Sequence, residues 1–278
     1  MKITTIIVIM YLIYQKKTNN LLKKKINIEK ETYLKEIEIS LKPDDRIITY
    51  IKFNVKTPEK QELSSVCSLD PGCSPFYYVV DDKGKCFNVE EKTINKIYSL
   101  MIQKDKIKSK MYSKETDHTK KEQLEEKYNK LENRRQSIIY DIHNKFIKFL
   151  VTNYSHIIIS KFNVHCVVDK KTRNIGKSTS RTILSWCHGL LRKKLKEKAE
   201  LYGCHVYEGS ESWSSKTCCF CGSIKHDLGN SKIYKCINCN SNHHRDFNGA
   251  MNIFIRHIKN FTKKIPQYSV LHNKIIYY

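Results

Sequence analysis

Four cysteines carry the strongest chemical signal in the chain. Cys218 and Cys221 form one Cys-x-x-Cys pair, Cys236 and Cys239 a second, with fourteen residues between the pairs. Two residues between thiolates let both reach one ion from a tight turn, and two such knuckles complete a tetrahedral Zn²⁺ site. Gly222, Gly229 and Asn230 supply the turns that a short β-ribbon needs around them. With four thiolates on one ion no position is left for water, so the zinc is expected to be structural. Only these four of the eleven cysteines have ligand spacing. An odd number of thiols scattered through apolar and loop positions argues against a secreted disulfide framework and for a reducing compartment, cytosol or nucleus.

Two flanking motifs narrow the reading. Ser214-Ser215-Lys216-Thr217 leads into Cys218, and seven residues after Cys239 follows Asp246 in Arg245-Asp246-Phe247-Asn248-Gly249-Ala250-Met251-Asn252, which reads as a helix start. Far upstream, an apolar strand over residues 66–69 ends in Asp70-Pro71-Gly72. Jointly, the Asp-Pro-Gly after a strand, the Ser-Ser-Lys-Thr-Cys-x-x-Cys-Gly start of the ribbon and the Arg-Asp-x-Asn-x-Ala-x-Asn that follows it resemble the TnpB-like transposon proteins. These are RNA-guided nucleases with a RuvC-type core, often named transposases, and the chain is especially similar to the eukaryotic and viral relatives called Fanzors. The resemblance covers about residues 60–260, and its specificity lies in the combination of motifs.

The resemblance implies an α/β, RNase H-like (RuvC-type) core with a helical insertion and an inserted four-cysteine zinc ribbon. It further implies Mg²⁺-dependent DNA cleavage with DNA and a guide RNA as partners. Such cores bind two Mg²⁺ ions, which demand oxygen ligands from several converging carboxylates. Asp70, at the strand end, is implied as the first and Asp246, at the helix start, as the last. An ordinary turn aspartate and a helix N-terminal charge are the bland alternatives. The third acid departs from the bacterial pattern, because the strand end that carries a Glu there is Ser160-Lys161 here. In the Fanzor relatives that Glu is similarly absent and one just before the ribbon replaces it. The matching residue is Glu211, with Glu208 as a nearby competitor and the absence of any functional third acid as the remaining alternative.

The elements that must position these groups are legible in outline. Residues 66–69, 76–80 and 85–89 read as three strands, with Asp82-Lys83-Gly84 turning between the last two. Residues 94–154 read as a long helical section, an exposed hairpin whose later half carries an apolar stripe from Leu124 to Phe149. Residues 156–160 form a buried-strand candidate. After a polar loop over 169–180, one amphipathic basic helix is expected from Thr182 to about Ala199, closed by Gly203, before a strand over 204–207. The last helix is expected over about 248–261. The resulting domains are 1–60, the remnant of a wedge-like region; 61–212, the core with its helical insertion 94–154; 213–244, the ribbon; and 245–278, the last catalytic helix and tail. In the resembled family the core follows a wedge and a recognition domain, and residues 1–60 hold only the tail of a wedge, so an N-terminally short chain is expected.

Composition agrees with a polyanionic partner. The 278 residues hold 51 Lys and Arg against 28 Asp and Glu, a formal net charge of +23. Bound phosphates would release condensed counterions, although a Lys-rich genome bias contributes to the excess. The apolar run 3–14 is too short to span a bilayer as a helix and lacks a small-residue cleavage site, which favours a buried strand or the edge of a damaged reading frame over a membrane anchor. Lys216 and Arg245 are candidates to hold a phosphate or to balance the acids. Trp213 is expected to pack under the ribbon rather than to stack a base, and His243 and His244 are expected at the surface. Two rivals remain: a decayed copy that only binds nucleic acid, and a zinc-ribbon transcription factor, in which Asp70 and Asp246 need not meet.

Overall fold

The structure is a computed structural model that describes residues 3–12, 33–41, 47–56, 65–89, 93–113, 117–171, 173–229 and 231–262, with side chains between 65 and 258. The chain divides into two compact units, Met1–Lys60 with Ile107–Lys130, and Gln61–Lys106 with Leu131–Tyr278. In the first unit, β1 (Ile3–Leu12), β2 (Tyr33–Leu41) and β3 (Ile47–Lys56) form an antiparallel sheet in the order β1-β3-β2. The apolar N-terminal run is therefore strand over residues 3–12, paired with β3 along its whole length. Residues 13 and 14, the basic run 23–25 and the tail after 262 lie outside the described residues. Among the described residues no helix is long and apolar enough to cross a membrane.

The second unit is built on β4 (Val66–Pro71), β5 (Tyr77–Asp81), β6 (Cys86–Val89), β7 (His156–Ser160) and β8 (His205–Gly209), in the order β6-β5-β4-β7-β8. The first three form an antiparallel meander; β7 and β8 run parallel to β4. The β5–β6 turn lies where the sequence predicts it. Gly84 adopts φ 78°, which costs a glycine nothing, and the Asp81 carboxylate accepts from the amides of Lys83 and Lys85 at 3.0 and 2.8 Å.

Strand periodicity assigns the two faces. Cys67, Leu69, Tyr77, Val79, Ile157 and Ile159 pack on one side against α1 (Ile94–Met111), the later half of α2 (His118–Asn153) and the helices that follow β7. The alternate residues Val66, Ile158 and Val80 face α6 (Arg245–Thr262) through Phe247, Ala250 and Ile253. A strand covered on both faces needs an uninterrupted apolar run, which explains Ile157-Ile158-Ile159, all fully buried. Each such isoleucine contributes about 1.5–3 kcal/mol of burial.

The helices after β7 differ from the sequence expectation. A short helix α3 (Val164–Val168) precedes the polar loop, whose last residues 177–180 are helical, and the expected single helix is two: α4 (Lys177–Trp186) and α5 (His188–Tyr202), broken at Cys187 with φ 52°. In one straight helix Trp186 and His188 would point some 200° apart. The break lets both reach the same ring: Trp186 stacks on Phe76 at 4.5 Å between centroids and His188 lies 5.0 Å from it. Trp186 Nε1 donates to the Cys73 carbonyl at 2.8 Å, which anchors the break to the sheet. Gly203, in the left-handed region, closes α5 as predicted.

That packing makes the core acid-sensitive. Burial holds His143 down to about 4 and His188 down to about 3, with Lys194 opposing a charge on the first and His143 and then Arg192 a charge on the second, and each histidine faces the aromatic cluster. A depressed folded pKa means that the unfolded chain takes up protons first, so stability falls as pH drops below about 6.5. At pH 5 the expected loss is about 2 kcal/mol per histidine. Thermal melts between pH 7 and 5 check this: His188→Phe should flatten the fall, and equal slopes in the two proteins would contradict it.

Candidate active site and metal centre

The structure brings Asp70, Glu211 and Asp246 to one cleft of about 360 Å³, which Arg245, Lys232, Ser214 and Ser215 also line. Each carboxyl arrives on a different element. Asp70 is on the α6-facing side of β4, two residues beyond Ser68, whose hydroxyl donates to the Ala250 carbonyl at 2.8 Å. Its carboxylate lies against Gly249, where a Cβ would collide with it. This close approach is why glycine stands in that helix interior despite its cost of about 1 kcal/mol there. Asp246 is in the first turn of α6, where a negative charge is favoured by the helix dipole. Glu211 is in the loop after β8.

Ser160 and Glu211 meet across the sheet edge. Ser160 is buried at the end of β7, and its hydroxyl hydrogen-bonds to the Glu211 carboxyl. The competitor Glu208 takes no part in the cleft. It pairs with Ile159 in the β7–β8 ladder, so it shares with that residue the side covered by α1, α2 and α5, and it forms ion pairs of 3.1 Å with Arg192 and Lys196 of α5. One residue of strand register separates the face with Asp70 from the face with Arg192.

Electrostatics in the cleft are those of carboxyls gathered close together, with His244 Nδ1 3.8 Å from the Asp246 carboxylate. Asp70 is pushed well above the usual carboxylate range by burial, then by the nearby Asp246 and Glu211 carboxyls, with Arg245 opposing. Glu211 is raised by burial, against the Ser160 hydrogen bond and Arg192. The three carboxyls offer oxygen donors of the kind a hard divalent cation takes, whereas among the described residues only the four cysteines have ligand atoms all within 4.8 Å of one another.

The four predicted cysteines converge. Their sulfurs all lie within 4.8 Å of one another, with Cys218 to Cys239 at 3.7 Å and Cys221 to Cys236 at 3.6 Å. Tetrahedral Zn–S bonds of about 2.3 Å put the sulfurs about 3.8 Å apart, so the cluster is of the size that holds a metal such as zinc. The two knuckles are built alike. Each places a left-handed residue directly after its second cysteine, Gly222 at φ 76° and Asn240 at φ 57°. Each closes with a bond from the first cysteine's amide, Cys218 to the Ser223 carbonyl at 2.8 Å and Cys236 to the Ser241 carbonyl at 2.9 Å. The Ser223 hydroxyl, 3.1 Å from Cys221 Sγ, holds that thiol down to about 5, in the thiolate form a metal needs. Short strands β9 (Ile233–Lys235) and β10 (Asn242–His244) pair to complete the ribbon.

Asn248 and Asn252 tie ribbon and α6 together. Asn248 Nδ2 donates to the Thr217 carbonyl at 2.7 Å and Asn252 Nδ2 to the Ser214 carbonyl at 2.8 Å. Asn248 Oδ1 accepts from the Cys219 amide at 2.9 Å. Spaced by four residues, the two amides share one helix face and fix the loop that carries Glu211 to the helix that carries Asp246.

Three side chains depart from expectation. His243 is buried, not at the surface; it stacks on Tyr234 and its Nε2 lies 3.0 Å from Asn248 Oδ1, because β10 alternates and turns this position inward. Trp213 is not packed under the ribbon. It is 52% exposed and adopts φ 66°, a left-handed conformation that costs a bulky residue about 1–3 kcal/mol. Lys216 stands over the Trp213 ring at 5.5 Å rather than in the cleft. Lys232, unremarkable in sequence among many lysines, lines the cleft; no sequence signal singled it out. The last helix begins at Arg245, three residues before the expected start, which places Asp246 within it.

With this geometry in place, similarities to known proteins become informative. The family description "Cas12f1-like, TNB domain" matches residues 188–253, which span α5, the ribbon and the start of α6. TnpB-like protein L79 of Acanthamoeba polyphaga mimivirus is 28% identical over 229 residues, covering 77% of this chain and 42% of the relative. TnpB-like protein MJ0751 of Methanocaldococcus jannaschii is 28% identical over 229 residues, covering 78% of this chain and 76% of the relative. This chain thus spans less than half the length of the viral relative. A solved Cas12f ternary complex shares the fold over 78% of this chain and 44% of that one, with a TM-score of 0.53 at 16% identity. A Cas12f1 complex with sgRNA and target DNA does so with a TM-score of 0.51 at 17% identity and the same coverage. In its sequence over about three quarters of its length, and in the domain that holds its four-cysteine ribbon, the chain is similar to TnpB-like proteins.

Proposed function

We infer that the chain is a mobile-element nuclease with an RNase H-like, RuvC-type core, cleaving DNA with Mg²⁺ under the direction of a transposon-derived RNA. The observation that carries this is the convergence of Asp70, Glu211 and Asp246, from three elements, on one cleft. A meander continued by parallel strands, with the first acid ending the central strand, supports the fold assignment. In domain terms, residues 61–212 form the core with its helical insertion, 213–244 the ribbon, 245–278 the last catalytic helix and tail, and 1–60 a wedge-like region. The charge of +23 favours nucleic-acid partners, and one solved structure of similar fold is a Cas12f1 complex with sgRNA and target DNA.

The three carboxyls are the groups that would hold Mg²⁺, which when bound supplies water activation and neutralises charge on the leaving oxygen. The chain's own residues do the rest. Arg245 and Lys232 attract and orient the scissile phosphate at the cleft wall. The Ser160 hydroxyl orients Glu211 in place of the strand-end carboxylate that Ser160 cannot itself provide. The zinc ribbon and the two asparagines hold the Glu211 loop against α6.

The decisive comparison is between neighbouring glutamates. Purified protein, its flanking RNA, Mg²⁺ and a plasmid substrate should give cleavage that Glu211→Gln reduces by about 10²–10³-fold. Glu208→Gln, which loses only ion pairs on the opposite face, should stay within about 3-fold of the parent. Salt-sensitive binding with no cleavage by the parent protein would instead identify a decayed copy that retains only its nucleic-acid surface.

A further inference from the structure

We propose that Trp213 is a stacking platform for an unpaired base of single-stranded DNA at the rim of the acidic cleft. The chain has two tryptophans with opposite fates: Trp186 is fully buried, whereas Trp213 is 52% exposed. Trp213 lies two residues after Glu211 and directly before Ser214 and Ser215, all of which line the cleft. At about 3.8 Å per Cα step, its Cα lies no more than about 7.6 Å from that of Glu211.

The loop holds this ring out deliberately. The Trp213 carbonyl accepts from the amides of Lys216 and Thr217 at 3.0 and 2.9 Å and from the Thr217 hydroxyl at 2.9 Å. The next carbonyl, that of Ser214, is the one gripped by Asn252. A left-handed turn residue is ordinarily glycine or asparagine, so folding alone does not call for a tryptophan here. A strained backbone and a large apolar ring left in water are both unfavourable in the free protein. Both are offset if the ring stacks on a ligand.

The surroundings select the ligand. The Lys216 ammonium stands 5.5 Å from the ring centre, and His226 meets the ring edge-on at 6.2 Å. Arg245 and Lys232 line the adjoining cleft. An aromatic plane flanked by cations matches a base flanked by phosphates, and every base offers a π-face. A duplex keeps its bases stacked on one another, so the occupant is single-stranded. The location of this strand rests on the nuclease reading of the cleft, but the stacking is measurable without cleavage.

Binding of the full chain to labelled oligo-dT of about 12 nucleotides, without divalent ions, tests it. Trp213→Ala should weaken binding about 10-fold, the equivalent of about 1.4 kcal/mol. Trp213→Phe should recover most of the affinity, since a phenyl ring still stacks. An abasic oligonucleotide of equal length should bind the parent and Trp213→Ala equally, because its phosphates are unchanged. Undiminished oligo-dT binding by Trp213→Ala, or equal weakening of both oligonucleotides, overturns the proposal. If the platform behaves as expected while Glu211→Gln leaves cleavage untouched, the failure lies with the nuclease reading and not with Trp213.

Discussion

Asp70→Asn is expected to abolish cleavage and yet raise the melting temperature of the metal-free protein. Both effects come from the same carboxyl. Asp70 is half-buried beside two other acids, and both desolvation and their charges push its pKa upward. A raised folded pKa means that ionisation opposes folding. The stability present below the ordinary carboxylate range is lost as pH rises through the raised value. Asparagine has nearly the same volume, so Gly249 still accommodates it, and it carries no charge to repel Asp246 and Glu211. A neutral amide cannot help hold a divalent cation, and the expected drop in cleavage is about 10²–10³-fold or more. Thermal melts with and without Mg²⁺, beside plasmid cleavage, read both arms. Mg²⁺ should raise the parent's melting temperature more than the variant's. A variant less stable than the parent without metal would show that Asp70 is a structural hydrogen-bonding residue and not an uncompensated acid.

Removal of the ribbon's metal, by chelation or by Cys236→Ser, is expected to be the other large change. Metal binding at four-cysteine sites contributes apparent free energies of about 10–16 kcal/mol in small zinc modules at neutral pH. Here the ribbon has little core of its own beyond Cys218, Tyr234 and Cys236 with Leu228 against them. Without the ion the knuckles should open, and the loop 211–217 should lose its register against Asn248 and Asn252. Cleavage should therefore fall by at least about 10²-fold although no cysteine lines the cleft. Hydrogen exchange should show protection lost across 211–244 while β4 and β7, buried over residues 66–69 and 157–160, keep theirs. The parent should carry one zinc per chain by atomic absorption. Unchanged protection across the ribbon after chelation would contradict a structural role for the metal.

What is local in the chain was readable from it. Both cysteine pairs sit within one 22-residue stretch, and their x-x spacing is a property of one turn, so the cluster follows from the sequence. The same holds for the Asp82-Lys83-Gly84 turn, the strand over 156–160 and the Gly203 helix end, each set by backbone preferences within a few residues. Asp70, Glu211 and Asp246 were nominated by motif, and their nomination said nothing of where they would lie. Their meeting depends on a parallel β4–β7–β8 ladder and on α6 packing across it, contacts that span up to 182 residues of chain.

The tertiary structure alone decided the rest. Glu208 and Glu211 are equally acidic and three residues apart; strand register sends one toward Arg192, and the loop after β8 brings the other to Asp70. Helical periodicity ran smoothly through Cys187, but Phe76 drew Trp186 and His188 to the same ring and broke the helix between them. Trp213 and His243 exchanged their expected places because a positive φ turned one outward and a three-residue strand turned the other inward. Side-chain chemistry names the groups capable of a reaction, whereas the direction in which each points is set by packing against residues remote in sequence.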